Sequence, residues 1–291
     1  MTTLYPNKVQ VETFLGCNAR CTMCTIHDWS RPHGAMDNEV YTRVVGEAAV
    51  FKDKIGLFSL YMDGEPLMDN LLEERVAEAK SAGISNIGFA TNGSLLTEER
   101  SRKLLEAGLD WVCISIDSLD KETYENIRVR LKLDTVLANV LSHIRHRDET
   151  NSASRVLVRF GDQPANAGQF ESFYKFWSEK LTGKRDEIQH NALHNWGHGT
   201  EDGSFGTMPC DYVFENCVIL RDGTVPLCCV DYNAEVGFGN VMETPLLEIW
   251  NSPEFNRVRD LHRDGRRPEM PLCGNCDIPE VTLEPKAAKA S

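Results

Sequence analysis

Apolar and polar positions along this chain follow two alternating rhythms. Short runs rich in β-branched and aromatic residues are separated by longer stretches in which apolar residues return every three or four positions, the period of one helix face. Residues 9–15 read as a first strand running into a loop, and 38–51 as a helix with Val40, Val44, Val45 and Ala48 on one side. Five more strand patterns lie at 55–62, 84–90, 111–116, 155–160 and 187–193. Helical patterns separate them at 71–82, 97–107, 121–129, 133–147 and 169–181. Gly83 and Gly108 stop two of these helices, and Thr97 caps the start of one through its side chain.

Strands that alternate with helices of ten or more residues form parallel βαβ units with right-handed crossovers. Six units predict an α/β fold, an open or partial (β/α)6 barrel with its site at the carboxyl ends of the strands. After a Gly-, His- and Asn-rich stretch over 195–208 the rhythm changes. Short β segments at 216–220 and 224–228 read as a hairpin turned by Asp222-Gly223, and short helices at 246–251 and 253–263 follow. The predicted organisation is a barrel over 1–195, a small domain over 196–280 and a frayed tail over 281–291.

Composition narrows the chemistry. The 291 residues carry a net charge of −13, and no Lys/Arg run is long enough to neutralise a phosphate backbone, so no nucleic-acid partner is expected. The acidity admits two readings, solubility alone or attraction of a cationic substrate. No apolar run is long enough for a membrane span and the first residues lack a secretion signal, so the expected location is cytoplasmic. A reducing compartment disfavours disulfides, so the ten cysteines read first as metal ligands. They stand at 17, 21 and 24, singly at 113, and then at 210, 217, 228, 229, 273 and 276.

Cys17-x3-Cys21-x2-Cys24 places three thiols on one loop after the first strand. Three thiolates suit a cubane cluster with one iron left open, whereas structural zinc wants four ligands, with His27 as the candidate fourth. The loop resembles the hallmark of the radical S-adenosylmethionine (SAM) superfamily, in which that iron binds SAM. The likeness extends along the chain. Met62-Asp63-Gly64-Glu65-Pro66 looks like the family's Gly-Gly-Glu-Pro segment, with Asp63 in place of the first glycine. Thr91-Asn92-Gly93 and Ser115-Ile116-Asp117 resemble segments near the SAM ribose and methionyl parts. Arg128 matches an arginine that meets the SAM carboxylate, and Met23 stands where an aromatic residue packs by the adenine. The resemblance thus implies Met23, Gly64, Glu65, Asn92, Ser115, Asp117 and Arg128 as SAM contacts. Taken singly, Arg128 also reads as a solvated charge and Glu65 as a helix cap.

The second group, Cys210-x17-Cys228-Cys229-x43-Cys273-x2-Cys276, resembles the twitch domain, a shortened SPASM domain that binds an auxiliary cluster. The likeness implies Cys210, Cys228, Cys273 and Cys276 as ligands of a second [4Fe-4S] cluster, zinc being the alternative for the closing CxxC pair. Cys113 reads as core, and Cys217 as core or a replacement ligand. Cys229 is open to three readings: a hydrogen-atom donor to a substrate radical, a packed thiol, or the ligand in place of Cys228.

The expectation that follows is an enzyme with two [4Fe-4S] clusters and SAM, served by a reductase or a flavodoxin or ferredoxin electron donor. A 5′-deoxyadenosyl radical would remove hydrogen from a small polar substrate, cationic if the charge has that meaning. The likeness to antibiotic-pathway enzymes such as neomycin C epimerase and 2-deoxy-scyllo-inosamine dehydrogenase implies an aminoglycoside or amino sugar. The leading expectation is an epimerase with Cys229 as donor; the alternative is a dehydrogenase oxidising a carbinol to a ketone. A non-catalytic iron–sulfur or zinc protein is the reading from another class. His190, His194, Asn195, Trp196 and His198 read either as solvated linker groups or as polar contacts between the domains.

Overall fold

In the computed structural model, which describes residues 3–197 and 207–279, the chain enters a parallel sheet through β1 (Lys8–Val11). A small hairpin of β2 (Phe14–Leu15) and β3 (Gly34–Ala35) then frames the first cysteine loop. The repeating part follows as α1 (Asn38–Ala49), β4 (Leu57–Ser59), α2 (Leu72–Ser81), β5 (Ile87–Thr91), α3 (Glu98–Glu106), β6 (Trp111–Ser115), α4 (Lys121–Ile127), α5 (Leu133–Glu149), β7 (Arg155–Asp162), α6 (Phe170–Lys180) and β8 (Glu187–Ala192). The rest comprises α7 (Tyr212–Glu215), β9 (Asn216–Ile219), β10 (Thr224–Pro226), β11 (Gly237–Asn240), α8 (Leu246–Trp250), α9 (Pro253–Arg263) and α10 (Pro271–Gly274). No helix among the described residues is long and apolar enough to cross a membrane.

The main sheet runs β8-β7-β6-β5-β4-β1-β9, every pair parallel, and its ends do not meet, so the barrel is partial as expected. Its central strands are buried on both faces, as parallel strands covered by helices must be. The helical period places Val40, Val44, Val45 and Ala48 in the core, where Tyr41 also lies and donates its hydroxyl to the Arg75 carbonyl at 2.7 Å. Thr97 caps α3 by accepting from the Arg100 amide at 3.3 Å. At the amino end of β7, buried Arg147 makes two bonds to Asp186, at 2.7 and 2.8 Å, and Asp186 in turn accepts from the Val156 amide.

Two expectations change. The segment at 216–220 does not pair with 224–228: β9 adds to the free side of β1 as a seventh parallel strand, with Lys8 opposite Asn216 and Val11 opposite Ile219. All four β9 residues are buried, and the Asn216 amide donates to Gln10 Oε1 at 3.1 Å, so both faces are used. The Asp222-Gly223 turn does form, with the Leu220 amide bonded to the Thr224 carbonyl, but β10 pairs antiparallel with β11. The run at 9–15 also divides. The Glu12 amide bonds to the Ile219 carbonyl and Thr13 Oγ1 to the Leu60 carbonyl, which ends β1 and lets β2 turn to face β3.

Candidate active site

The first cysteine loop is held from both sides. The Arg20 and Thr22 amides donate to the carbonyls of Val129 and Ile127, zipping the loop to the end of α4. The Arg20 guanidinium folds back onto the carbonyls of Cys17 and Ala19 at 2.8 and 2.7 Å. Across the loop, Gly64 comes so near the chain that a β-carbon there would lie 2.5 Å from the Phe14 carbonyl oxygen and 2.7 Å from that of Gly16. Its φ of +99° suits glycine, and the next amide, Glu65, donates to the Gly16 carbonyl at 2.8 Å.

Buried Glu65 spends its carboxylate on neighbours. One oxygen accepts from the Leu67 amide (3.0 Å) and the Thr91 hydroxyl (2.6 Å), the other from the Asn92 amide (2.8 Å). It therefore fastens the β4 exit to the end of β5. Asn92 carries the link to the cysteine loop, donating to Asn18 Oδ1 at 2.9 Å and lying 3.8 Å from the Cys17 sulfur. Asp117 binds Arg128 Nε at 2.6 Å and the Gly161 amide at 3.0 Å, which points the guanidinium toward the Cys21 sulfur at 3.7 Å. Burial works against the Arg128 charge, but Asp117 and Cys21 outweigh it and hold its pKa above the ordinary value.

These loops surround one open cleft of about 300 Å³ at the carboxyl ends of the strands. Cys17, Cys21 and Cys24 border it, together with Met23, Gly64, Glu65, Asn92, Ser115, Asp117 and Arg128, so all the residues expected there share one wall system. His27 is exposed and off that wall, which removes it as the fourth partner of the three thiols. His194 and Trp196 reach the cleft, and the Trp196 indole donates to the Met23 carbonyl at 3.1 Å. Asn195 instead ties to Asn275 and Asp277. His190 stacks on Phe170 away from the cleft wall, and His198 lies outside the described residues.

A second, much smaller cavity of about 20 Å³ is bordered by Cys210, Cys228, Cys273 and Cys276 with Tyr212, Val213, Val230, Leu272 and Ile278. Burial pushes the Cys273 and Cys276 thiols up to about 12 and about 11, and Cys17 in the cleft to about 11. Thiolates this deep need bound metal to be favoured. Among the described residues no three His, Cys, Asp or Glu side chains converge closely enough for a lone ion. Three thiols around a cleft and four around a separate cavity fit clusters better than single zincs. Cys229 borders neither space. It is part-exposed all the same, and the charges of Asp63, Cys210 and Cys276 act on it. Cys113 and Cys217 are buried in strands.

Two further groups reach the site without any sign in the motif. Arg159 of β7 borders the cleft and donates to Gln189 at 3.1 Å; a charge inside an apolar strand was its one available signal. Arg31, from the loop before β3, makes a two-pronged bond to buried Glu12 (2.7 and 2.6 Å), reaches the Tyr232 carbonyl at 2.6 Å, and lies 3.7 Å from Asp63.

A strand-end cleft ringed by Cys17, Cys21 and Cys24 and backed by a four-cysteine cavity defines a class. Residues 11–144 match the radical SAM superfamily and 210–277 an iron–sulfur cluster-binding (SPASM) domain. The chain belongs to the radical SAM superfamily and carries a SPASM-type domain at its C-terminal end. It is therefore a radical SAM enzyme whose cofactors are SAM and iron–sulfur clusters. It is 32% identical to a tungsten-containing aldehyde ferredoxin oxidoreductase cofactor-modifying protein of Pyrococcus furiosus, over 91% of this chain and 87% of that one. It is 23% identical to the S-adenosyl-L-methionine-dependent 2-deoxy-scyllo-inosamine dehydrogenase of Niallia circulans, over 95% and 94%. Its fold resembles BtrN in complex with AdoMet and 2-DOIA (TM-score 0.65, 20% identity, 95% and 94% covered) and anSMEcpe with bound AdoMet (0.67, 17%, 92% and 88%).

Proposed function

We propose that this chain is a radical SAM dehydrogenase that oxidises a carbinol of a small polar substrate, an aminocyclitol or amino sugar, to a ketone. Two relatives align along most of the chain and are named for different substrates, so the reaction is argued from the site. The observation that carries the reading is the four-thiol cavity bordered by Cys210, Cys228, Cys273 and Cys276, which offers a seat for a second redox centre. A dehydrogenase needs a second redox centre near its substrate but no thiol facing it.

In this reading Cys17, Cys21 and Cys24 would hold the first [4Fe-4S] cluster, and Cys210, Cys228, Cys273 and Cys276 the second. The bound cofactors supply hydrogen-atom abstraction from an unactivated C–H bond and a sink for the second electron. The chain's own residues position and shield. Arg128, oriented by Asp117, offers donors to a carboxylate. Glu65, accepting from three donors, holds the β4 and β5 exits in register at the cleft wall. Trp196 closes the cleft above Met23.

Epimerisation through Cys229 is the second reading, favoured by that one part-exposed thiol left over from the four around the cavity. Turnover separates the two. Protein reconstituted without oxygen and reduced is given SAM and 2-deoxy-scyllo-inosamine, with 2-deoxystreptamine as a second candidate, in deuterated water. A ketone formed with one 5′-deoxyadenosine per turnover is the expected result. An inverted carbon carrying solvent deuterium, lost in Cys229→Ala, would overturn the dehydrogenase in favour of the epimerase.

A further inference from the structure

The residue that breaks the family's glycine pattern has no role in holding the loop. Asp63 borders the cleft with 6% of its surface exposed, and its Oδ2 has no hydrogen-bond partner. Its nearest cation, Arg31, forms an ion pair with it at 3.7 Å, while three of the five guanidinium N–H groups are engaged elsewhere: both Nη atoms bond Glu12 and Nε bonds the Tyr232 carbonyl. Buried Asp231 also acts on Asp63, but accepts from the amides of Leu227, Glu235 and Val236 and asks for nothing more. Glu12 and Asp63 thus share one guanidinium, on which the Asp222 charge also acts. A buried carboxylate without a hydrogen-bonded counter-charge is costly, and what relieves it is a cation that also brings N–H donors.

We propose that Asp63 is the substrate anchor of the cleft and that it accepts a hydrogen bond from a protonated amine, which makes the substrate an amino-substituted polyol. The inference rests on the dehydrogenase reading and deepens it by assigning the group that selects the substrate. Its place suits the task. The charge of Asp63 acts on Cys24 of the first loop and on Cys229 of the second domain, so an amine held there lies where the cleft meets the second domain. Burial and then Glu12 push its carboxyl well above the ordinary range, and Arg31 offsets them only in part, which leaves room for a second cation.

The test is calorimetry on the oxidised, anaerobic holoenzyme with SAM bound, so that binding is read without turnover. The probes are 2-deoxy-scyllo-inosamine and uncharged myo-inositol. Wild type should bind the amine about thirtyfold more tightly than the inositol, and Asp63→Asn should erase that preference. Asp63→Gly restores the family's glycine and should do the same if the asparagine variant fails to load iron. Iron content and SAM affinity should stay at the wild-type level. Retention of the amine preference in both variants overturns the assignment. So does a loss of SAM affinity, which would give Asp63 to the SAM ammonium. If wild type forms a ketone but binds both probes equally, Asp63 falls and the dehydrogenase stands. If wild type binds neither probe and oxidises neither, the functional reading falls first.

Discussion

Gly64→Ala tests whether the β4 exit is as tightly built as it looks. The added β-carbon must either approach the carbonyl oxygens of Phe14 and Gly16 to 2.5 and 2.7 Å or push the chain away. Neither oxygen belongs to a side chain that can swing aside, and β2 is fixed by its pairing with β3. A left-handed backbone with a β-carbon costs about 1–2 kcal/mol. Moving the loop also forfeits the Glu65–Gly16 hydrogen bond, worth about 1 kcal/mol. The sum is about 2–3 kcal/mol, or about 5–10 °C in melting temperature for a chain of this size. Two controls separate the contributions. Gly168 has φ +76° with nothing within 4 Å of its virtual β-carbon, so Gly168→Ala should cost only about 1 kcal/mol. Gly46, inside α1 and equally open, should gain about 0.5–1 kcal/mol as alanine. Melting and urea curves of the three reconstituted variants give the order. If Gly64→Ala costs no more than Gly168→Ala, the close backbone approach is not there and the account of the loop is wrong.

Further consequences are open to simpler measurements. Asp186→Ala strips buried Arg147 of its two-pronged partner and should cost about 3 kcal/mol in urea unfolding; a loss under about 1 kcal/mol contradicts the buried pair. Buried His143, whose Nδ1 lies 2.7 Å from Ser101 Oγ, is held by burial at about 4 instead of 6.5. The unfolded chain takes up that proton first, so the contribution is complete above pH 6.5 and is lost as the pH falls toward 4, by about 1.4 kcal/mol per pH unit. Comparing wild type with His143→Asn at pH 7 and pH 5 isolates this slope, and equal slopes refute it. Trp196→Phe removes the bond to the Met23 carbonyl, and amide exchange over 17–24 should quicken about fivefold. Unchanged exchange there means the indole does not hold the loop.

Much of this architecture was legible because it is local. The period of Val40, Val44, Val45 and Ala48 fixes a helix face wherever the helix sits, and Cys17, Cys21 and Cys24 share a loop by covalent connection alone. Partners far apart in the chain were not legible. Cys217, Val218 and Ile219 are apolar in succession, a pattern that suits a hairpin or a parallel strand equally, and only packing beside β1 decides it. Cys228 and Cys229 are adjacent, so spacing cannot choose between them; the fold puts Cys228 on the cavity wall and Cys229 off it. The Glu12–Arg31–Asp63 group joins three segments, and Arg31 lies in a loop with no periodicity to mark it. Glu65 was found by likeness, but its commitment to Leu67, Thr91 and Asn92 is visible only in three dimensions.

In the proposed reading the cleft's three thiols hold a cluster with one iron free for SAM, while the other four hold a cluster that SAM does not reach. Electron paramagnetic resonance of the anaerobically reduced protein, with and without SAM, tests it in wild type and in the Cys17/Cys21/Cys24→Ala variant. Wild type should hold about eight irons, with one of two cluster signals changed by SAM. The variant should keep about four irons and a signal indifferent to SAM. A SAM-dependent change that survives loss of the three cysteines, or zinc in place of iron in wild type, contradicts the account.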